Sequence, residues 1–309
     1  MLPCLCLTSL AVLTTAKTSQ QPCFLSLEPG FWTAEGQWLP SNEACPFLNL
    51  AGTQEPSHSL HHAKAVRVLL FGDSNDNKVL EDFCCDEAPH AHGPEVFRSC
   101  HHDLYSISYQ AMTGVHPTGP YWGGVTGTPA ERLAHGLDAF QQQYGPTANP
   151  DMVVFASNLW DLQRIGSTNQ DKLVGHSIDV HELLAYKSDL SAALSQIEAM
   201  FPEGTLLVFR TGAPGAWGRC IDLALNNWNI HRRHMYQLNA AAKGALLRHH
   251  RWHLLDVESL VAEFVCPQEY LRDHAHYNHS VIWAILNLYL NMVQSFWHAN
   301  GVPAWRQEL

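Results

Sequence analysis

Two short segments, far apart in the chain, hold residue types that together could attack an acyl carbonyl. The first is Phe71-Gly72-Asp73-Ser74-Asn75, which follows the apolar run Val66 to Leu70 and precedes the helical pattern Lys78 to Phe83. A serine at a strand-to-helix turn lies at the carboxyl edge of a sheet, beside the positive end of a helix, where its hydroxyl is exposed and electrostatically favoured. The tripeptide Gly-Asp-Ser alone favours a plainer reading, a turn with a helix-capping serine. The second segment is Arg272-Asp273-His274-Ala275-His276-Tyr277, just before the final helical pattern. An aspartate three residues ahead of a histidine can bond Nδ1 of the ring and leave Nε2 facing a nucleophile, as base-assisted attack requires. That spacing selects His276 over His274 and His279. The expected set is Ser74 as nucleophile, His276 as base and Asp273 as the residue that orients it.

Acyl transfer also needs hydrogen-bond donors for the oxyanion that develops on the carbonyl oxygen. Asn158, directly after the apolar stretch Asp151 to Ala156, is the side-chain candidate. Backbone donors are expected from Ser74 and Gly114, with Gly123 or Gly124 as substitutes for Gly114; loop geometry alone also explains such glycines. The histidine pairs His61-His62, His90-x-His92, His101-His102, His249-His250 and His274-x-His276 raise a metal hypothesis. Zinc sites need about four converging ligands at firm spacing, and neither Cys-x-x-Cys nor His-Glu-x-x-His occurs. No metal and no cofactor is expected.

The elements that must position these residues follow from the alternation of β-branched runs with helical patterns from Val66 onward, which signals a parallel sheet covered by helices on both faces. Strands are expected at Val66 to Phe71, Leu104 to Gln110, Met152 to Ala156, Thr205 to Arg210 and Trp252 to Val257. The fold class is therefore α/β, a three-layer α/β/α sandwich with a five-stranded parallel sheet of flavodoxin-like kind. Thr128, Pro129 and Glu131 supply the cap, first-turn proline and capping-box carboxylate of one helix. Leu190, Leu194, Ile197 and Phe201 mark the buried stripe of another, stopped by Pro202. The last helix begins near Ser280 and buries Ile282, Ile285, Leu286, Tyr289 and Val293.

A chain of 309 residues with 46% hydrophobic and 15% charged residues has ample material for such a core. Its formal charge of −11 argues against a nucleic-acid partner, whose phosphates need a basic surface. Leu2 to Ala16 is an apolar run ending in small residues, so residues 1–16 read as a signal peptide or an uncleaved signal anchor; no later segment is expected to span a membrane. Once Cys4 and Cys6 leave with a signal, Cys23, Cys45, Cys84, Cys85, Cys100, Cys220 and Cys266 remain, an odd number that leaves one thiol. Disulfides from Cys23 to Cys45 and from Cys84 or Cys85 to Cys100 are the local expectation in an oxidising lumen. Residues 23–63 form a Cys- and Trp-containing segment with a polar linker over 51–63, and 64–309 form the catalytic domain. Trp32, Trp38, Tyr121 and Trp122 would stack on sugar rings if exposed, although tryptophans in a disulfide-pinned layer more often belong to the core.

Gly72-Asp73-Ser74, the strand-following Asn158 and Asp273-x-x-His276 together resemble the SGNH (GDSL-like) hydrolase superfamily over Val66 to Val293. Asn158-Leu159-Trp160-Asp161-Leu162 resembles the Leu-Trp-Asp-Leu stretch of its PC-esterase branch. Pro29-Gly30-Phe31-Trp32, Trp38-Leu39-Pro40 and Cys45-Pro46 are similar to the segment ahead of the serine motif in trichome birefringence-like polysaccharide O-acetyltransferases. The resemblance implies a secretory-pathway enzyme acting on ester-linked acyl groups, often on carbohydrate. Hydrolysis, transfer to a sugar hydroxyl and a non-catalytic glycan-binding module remain the three readings. An intact Ser74, Asp273 and His276 weighs against the last.

Overall fold

The computed structural model describes residues 30–34, 36–42, 45, 47, 49, 65–83, 97–102, 104–119, 126–168, 177–213, 232–264, 269–273 and 275–307. The expected signal segment, the linker 51–63, Gly123, Gly124, Tyr121, Trp122 and His274 lie outside them. The chain builds two sheets. β1 (Gly30–Trp32) and β2 (Trp38–Pro40) form an antiparallel pair in which Trp32 opposes Trp38. The second sheet holds β3 (Val66–Gly72), β4 (Arg98–His101), β5 (Tyr105–Ala111), β6 (Met152–Phe155), β7 (Leu206–Arg210) and β8 (Trp252–Leu255) in the order β4-β5-β3-β6-β7-β8.

All five strands expected from the sequence are present and parallel to one another. The sixth, β4, pairs antiparallel with β5 at one edge and corrects the five-stranded expectation. Its sequence Arg-Ser-Cys-His offers no apolar run, because an edge strand needs neither face fully buried. β3 lies near the centre of the sheet, and Val68, Leu69, Leu70 and Phe71 have no exposed surface, which is why it reads as a continuous apolar run. Counting only parallel strands, the spatial order is second, first, third, fourth, fifth. The order reverses between β3 and β6, and doubly wound sheets place their sites at the carboxyl ends beside such a reversal.

Alternation along the strands feeds two cores. Val68, Leu70, Val154 and Val208 face one helical layer, formed by α1 (Ser74–Phe83) and α7 (His279–Asn300). Leu69, Phe71, Val153, Phe155, Leu207 and Phe209 face the other, formed by α2 (Pro129–Tyr144), α3 (Asn158–Thr168), α4 (Val180–Met200) and α5 (Arg232–Leu246). The short helices α6 (Val257–Leu260) and α8 (Ala304–Gln307) complete the chain. α2 starts as its sequence indicates: Thr128 accepts from the Glu131 amide while the Glu131 carboxylate accepts from the Thr128 amide at 2.6 Å. Halfway along α2, Gly136 lets the helix lie close on the sheet, since a Cβ there would sit 2.4 Å from a ring carbon of Phe71. The α4 stripe is buried as expected, though Phe201, ahead of Pro202, is the capping residue. α7 is capped by Asn278, whose side chain accepts from the Val281 amide, and buries all five expected residues.

The hairpin tryptophans are packed on the domain, the core placement that such a layer favours over exposure to a sugar. Trp38 is buried in the first core, and Trp32 donates from Nε1 to the Leu260 carbonyl at 2.8 Å while its ring lies 5.2 Å from Phe264. Cys45 and Cys100 are disulfide-bonded, and their expected partners Cys23, Cys84 and Cys85 lie outside the described residues. Among the described residues no helix is long and apolar enough to cross a membrane.

Candidate active site

Ser74 is the first residue of α1, immediately past the carboxyl end of β3. The capping of that helix falls to Asp73. Its Oδ1 accepts from the Asn75 amide at 2.8 Å, its carbonyl accepts from the amides of Asp76 and Asn77, and the Asp76 carboxylate returns the favour by accepting from the Asp73 amide at 3.1 Å. This reciprocal arrangement is a capping box. It relieves the Ser74 hydroxyl of the capping duty that the tripeptide alone suggests. It also leaves the Ser74 amide as the one first-turn N–H with no hydrogen-bond partner in the described structure, at the positive end of the helix.

The hydroxyl turns instead to the other end of the chain. Ser74 Oγ lies 2.8 Å from His276 Nε2, and His276 Nδ1 lies 2.7 Å from Asp273 Oδ2. With Nδ1–H donating to the carboxylate, Nε2 is left as an acceptor for the serine proton. Partial burial by itself would raise the Asp273 pKa, but the amides of Ala275 and His276 and the His276 ring outweigh it and hold the carboxyl below its usual range. Asp273 is therefore a carboxylate near neutral pH. His279, a competitor on sequence grounds, lies away from Ser74: it is largely exposed, stacks on Phe83 and faces Asp82 at 3.4 Å.

What holds a loop 202 residues distant against the serine is Asn75. Its Oδ1 accepts from the Tyr277 amide at 2.9 Å and its Nδ2 donates to the Ala275 carbonyl at 3.2 Å. One buried side chain thus grips the residues on both sides of His276. The type and position of Asn75, next to the serine and ahead of a polar helix start, was the available sequence signal. Beneath the turn, Arg210 of β7 binds Asp76 through two contacts of 2.7 and 3.0 Å and reaches Asp73 at 3.2 Å, all with side chains at most 3% exposed. Gly72 is required by the same cluster, because a Cβ there would sit 1.8 Å from Asp76 Oδ2.

The oxyanion candidates stand at the same sheet edge. β5 ends beside β3, where the Met112 amide donates to the Gly72 carbonyl at 2.7 Å, and β6 ends beside it on the other side, where the Ala156 amide donates to Phe71 at 2.9 Å. Gly114 follows the first junction with φ +94°, a backbone that favours glycine, and a Cβ would meet Asp161 Oδ1 at 2.8 Å. Asn158 follows the second and is buried. Its Oδ1 accepts from the Tyr186 hydroxyl at 2.6 Å and its Nδ2 donates one hydrogen to Asn239 Oδ1, which leaves the second hydrogen. Asn239 is itself fixed by Gly212 at the end of β7 and by Glu258.

Asp161, within Asn-Leu-Trp-Asp-Leu, was not among the expected site residues, yet it joins the two candidates. Both of its carboxylate oxygens lie 3.1 Å from the Val115 amide, and the His116 amide also donates to it, so the first turn of α3 pins the loop that follows Gly114. Complete burial outweighs these donors and pushes the Asp161 carboxyl up to about 7. Between about pH 4 and pH 7 the folded chain therefore holds a proton that the unfolded chain releases. Stability should fall as pH rises through that window, by an amount on the order of 4 kcal/mol. Urea unfolding at pH 5 and pH 7 checks this: Asp161→Asn should flatten the difference, and an unchanged slope would show that another group sets it.

Ser191, His249 and Glu198 repeat the connectivity, with Ser191 Oγ 2.8 Å from His249 Nε2 and His249 Nδ1 3.1 Å from Glu198 Oε1. Ser191 lies in the body of α4, where backbone amides are committed to carbonyls one turn earlier. It has no backbone donor for an oxyanion, which separates it from Ser74.

The site is thus a Ser-His-Asp relay at the switch point of a doubly wound sheet. No known protein family and no curated protein sequence matches the chain. Solved structures similar to it include LAE5, an α/β hydrolase enzyme from the metagenome of Lake Arreo, Spain, at 14% identity and a TM-score of 0.41 over 77% of this chain and 99% of that one. A putative GDSL-like lipase from Parabacteroides merdae is 13% identical with a TM-score of 0.40 over 78% and 98%. The M. smegmatis aryl esterase is 12% identical with a TM-score of 0.37 over 74% and 97%. At TM-scores this low, the assignment of chemistry falls to the residues of this chain.

Proposed function

We propose that the chain is a serine-dependent ester hydrolase of the SGNH kind, acting on an acylated carbohydrate or a related ester. The observation that carries this is the unbroken path from Ser74 Oγ through His276 to Asp273, with an unpartnered helix-terminal amide at the same serine. Ser74 Oγ attacks the acyl carbon as His276 Nε2 takes its proton, and Asp273 steadies the imidazolium. The oxyanion is met by the amides of Ser74 and Gly114 and by the remaining Asn158 hydrogen. Collapse breaks the ester bond, and His276 returns its proton to the departing alcohol. Water, deprotonated by His276, then attacks the acyl-serine; the Ser74 Oγ–acyl bond breaks, His276 returns the proton to Ser74 Oγ and the acid is released. A sugar hydroxyl in place of that water would make the same residues an O-acetyltransferase. The apolar N-terminal run and the disulfide-bonded Cys45 and Cys100 support a secretory or extracellular setting.

A fluorophosphonate probe tests the reading directly. Labelling of the native protein at Ser74, located by peptide mass, is expected, and absence of label on folded protein would sink the enzyme and favour a binding module. Partition of a released acyl group between water and an added sugar alcohol then separates hydrolysis from transfer.

Asn75 supplies a second expected outcome. Asn75→Ala removes both hydrogen bonds that flank His276, and should cost about 1–3 kcal/mol in stability. It should lower kcat on an acyl ester roughly 10- to 100-fold, with KM little changed, as the base drifts from the serine. A variant with full kcat would show that the loop holds its place without Asn75.

A further inference from the structure

Among the described residues Lys78, Lys243, Arg98, Arg164, Arg210, Arg272 and Arg306 meet carboxylates, Arg132 and Arg251 meet backbone carbonyls, and Arg67 lies over the Tyr144 ring. Arg233 also has a partner. Among the described side chains the exceptions are Lys187 and Arg248, for whose nitrogens there is no hydrogen bond or ion pair to another described residue. Both line one groove of about 420 Å³ between α4 and the end of α5, together with the hydroxyls of Ser188, Ser191 and Ser195. We propose that this groove binds a tetrahedral oxyanion, a sulfate or a phosphate group, between Lys187 and Arg248.

Three features of the groove favour that ligand. Lys187, Ser188, Ser191 and Ser195 recur at helical spacing along one face of α4, beside the stripe of Tyr186, Leu190, Leu194 and Ile197 that faces the core. Lys187 and the Ser188 and Ser195 hydroxyls therefore supply donors along one wall, Ser191 being held by His249, while Arg248 lines the other. Room for the ammonium is provided by Gly244 of α5, where a Cβ would stand 3.2 Å from Lys187 Nζ. No described residue that lines the groove carries a carboxylate. Glu198, on the same helix, is engaged by His249, which also fixes Ser191.

The formal charge of −11 does not oppose this. Salt confines electrostatic influence to about 8 Å at physiological ionic strength, so the two adjacent cations set the local potential. A long polyanion would meet the acidic remainder of the surface, which leaves a small anion or a single charged substituent as the ligand. The groove lies on the outer side of the α4–α5 pair, so the inference stands independently of the chemistry at Ser74.

The test is a titration of the full chain with inorganic sulfate and with phosphate at constant ionic strength, sodium chloride making up the balance, followed by amide NMR shifts. Saturable shifts at residues 187–195 and 244–249 are expected, with an affinity at least 10-fold weaker in Lys187→Gln/Arg248→Gln. The double variant should keep its melting temperature and its fluorophosphonate labelling, so loss of binding cannot be mistaken for unfolding. Shifts that chloride alone reproduces, or equal affinity in the double variant, would overturn the site. A sulfated monosaccharide that binds more tightly than inorganic sulfate identifies an esterified sugar as the source; equal affinity identifies the free anion.

Discussion

Ser74→Ala should lower kcat on an acyl ester by roughly four to six orders of magnitude while leaving the fold intact. The serine contributes no cap, since Asp73 performs that task, and it lies half-buried at the surface of the turn, so its hydroxyl is not needed to start α1. Loss of stability beyond about 1 kcal/mol is accordingly not expected. His276→Ala should fall by a similar factor, and the double variant should be no slower than either single one, because nucleophile and base act as one unit. Ser191→Ala is the matched control. It breaks a similar-looking serine–histidine contact and should leave turnover unchanged. Turnover that survived in Ser74→Ala but vanished in Ser191→Ala would move the nucleophile to α4.

Much of this arrangement was legible in the chain because the parallel strands are buried on both faces. Val66 to Phe71 and Met152 to Ala156 read as strands without ambiguity, and the residues just past their ends are then fixed at one edge. Asp273-x-x-His276 was legible for a local reason: three residues of separation allow a carboxylate to reach the ring in a single turn. β4 was not, since an edge strand of Arg-Ser-Cys-His has no apolar period to reveal it. Which aromatics stay exposed was left open for a related reason. Composition does not tell which face of a hairpin meets the domain, and Trp32 and Trp38 both meet it.

The less visible residues are those whose work is done through partners distant in sequence. Asn75 grips a loop 202 residues away, and Asp161 holds the backbone of Val115 across 46 residues. Neither partner is a side chain, so no pairing of residue types announces the contact. Asp161 also shows why the Gly114 and Asn158 positions belong together: one carboxylate in the first turn of α3 anchors the loop after β5 to the helix that begins at Asn158.

Arg210→Met should be the most destabilising single change near the site, by about 3–5 kcal/mol, because it leaves buried carboxylates without their counter-charge. Arg210 is 1% exposed, and Asp73 and Asp76 at 2% and 1% have no water to turn to. Burial pushes the Asp76 carboxyl up, and Arg210 is the group that works against it. Without the guanidinium, one of the two carboxylates must take a proton on folding, so the loss should be smaller at pH 5 than at pH 8. That sign follows from linkage: a carboxyl protonated only in the folded state makes stability fall as pH rises. Pairing Arg210→Met with Asp76→Asn should recover part of the loss, since the variant Asn can still accept from the Asp73 amide while one buried charge is gone. Urea midpoints of the two single variants and the double variant, at both pH values, decide the matter. Additive losses would mean that Arg210 acts through packing alone, for instance against the Tyr277 ring 5.9 Å away. Coupled losses would place the charge balance of the nucleophile turn in a strand two positions away in the sheet, a dependence that the Gly-Asp-Ser tripeptide does not reveal.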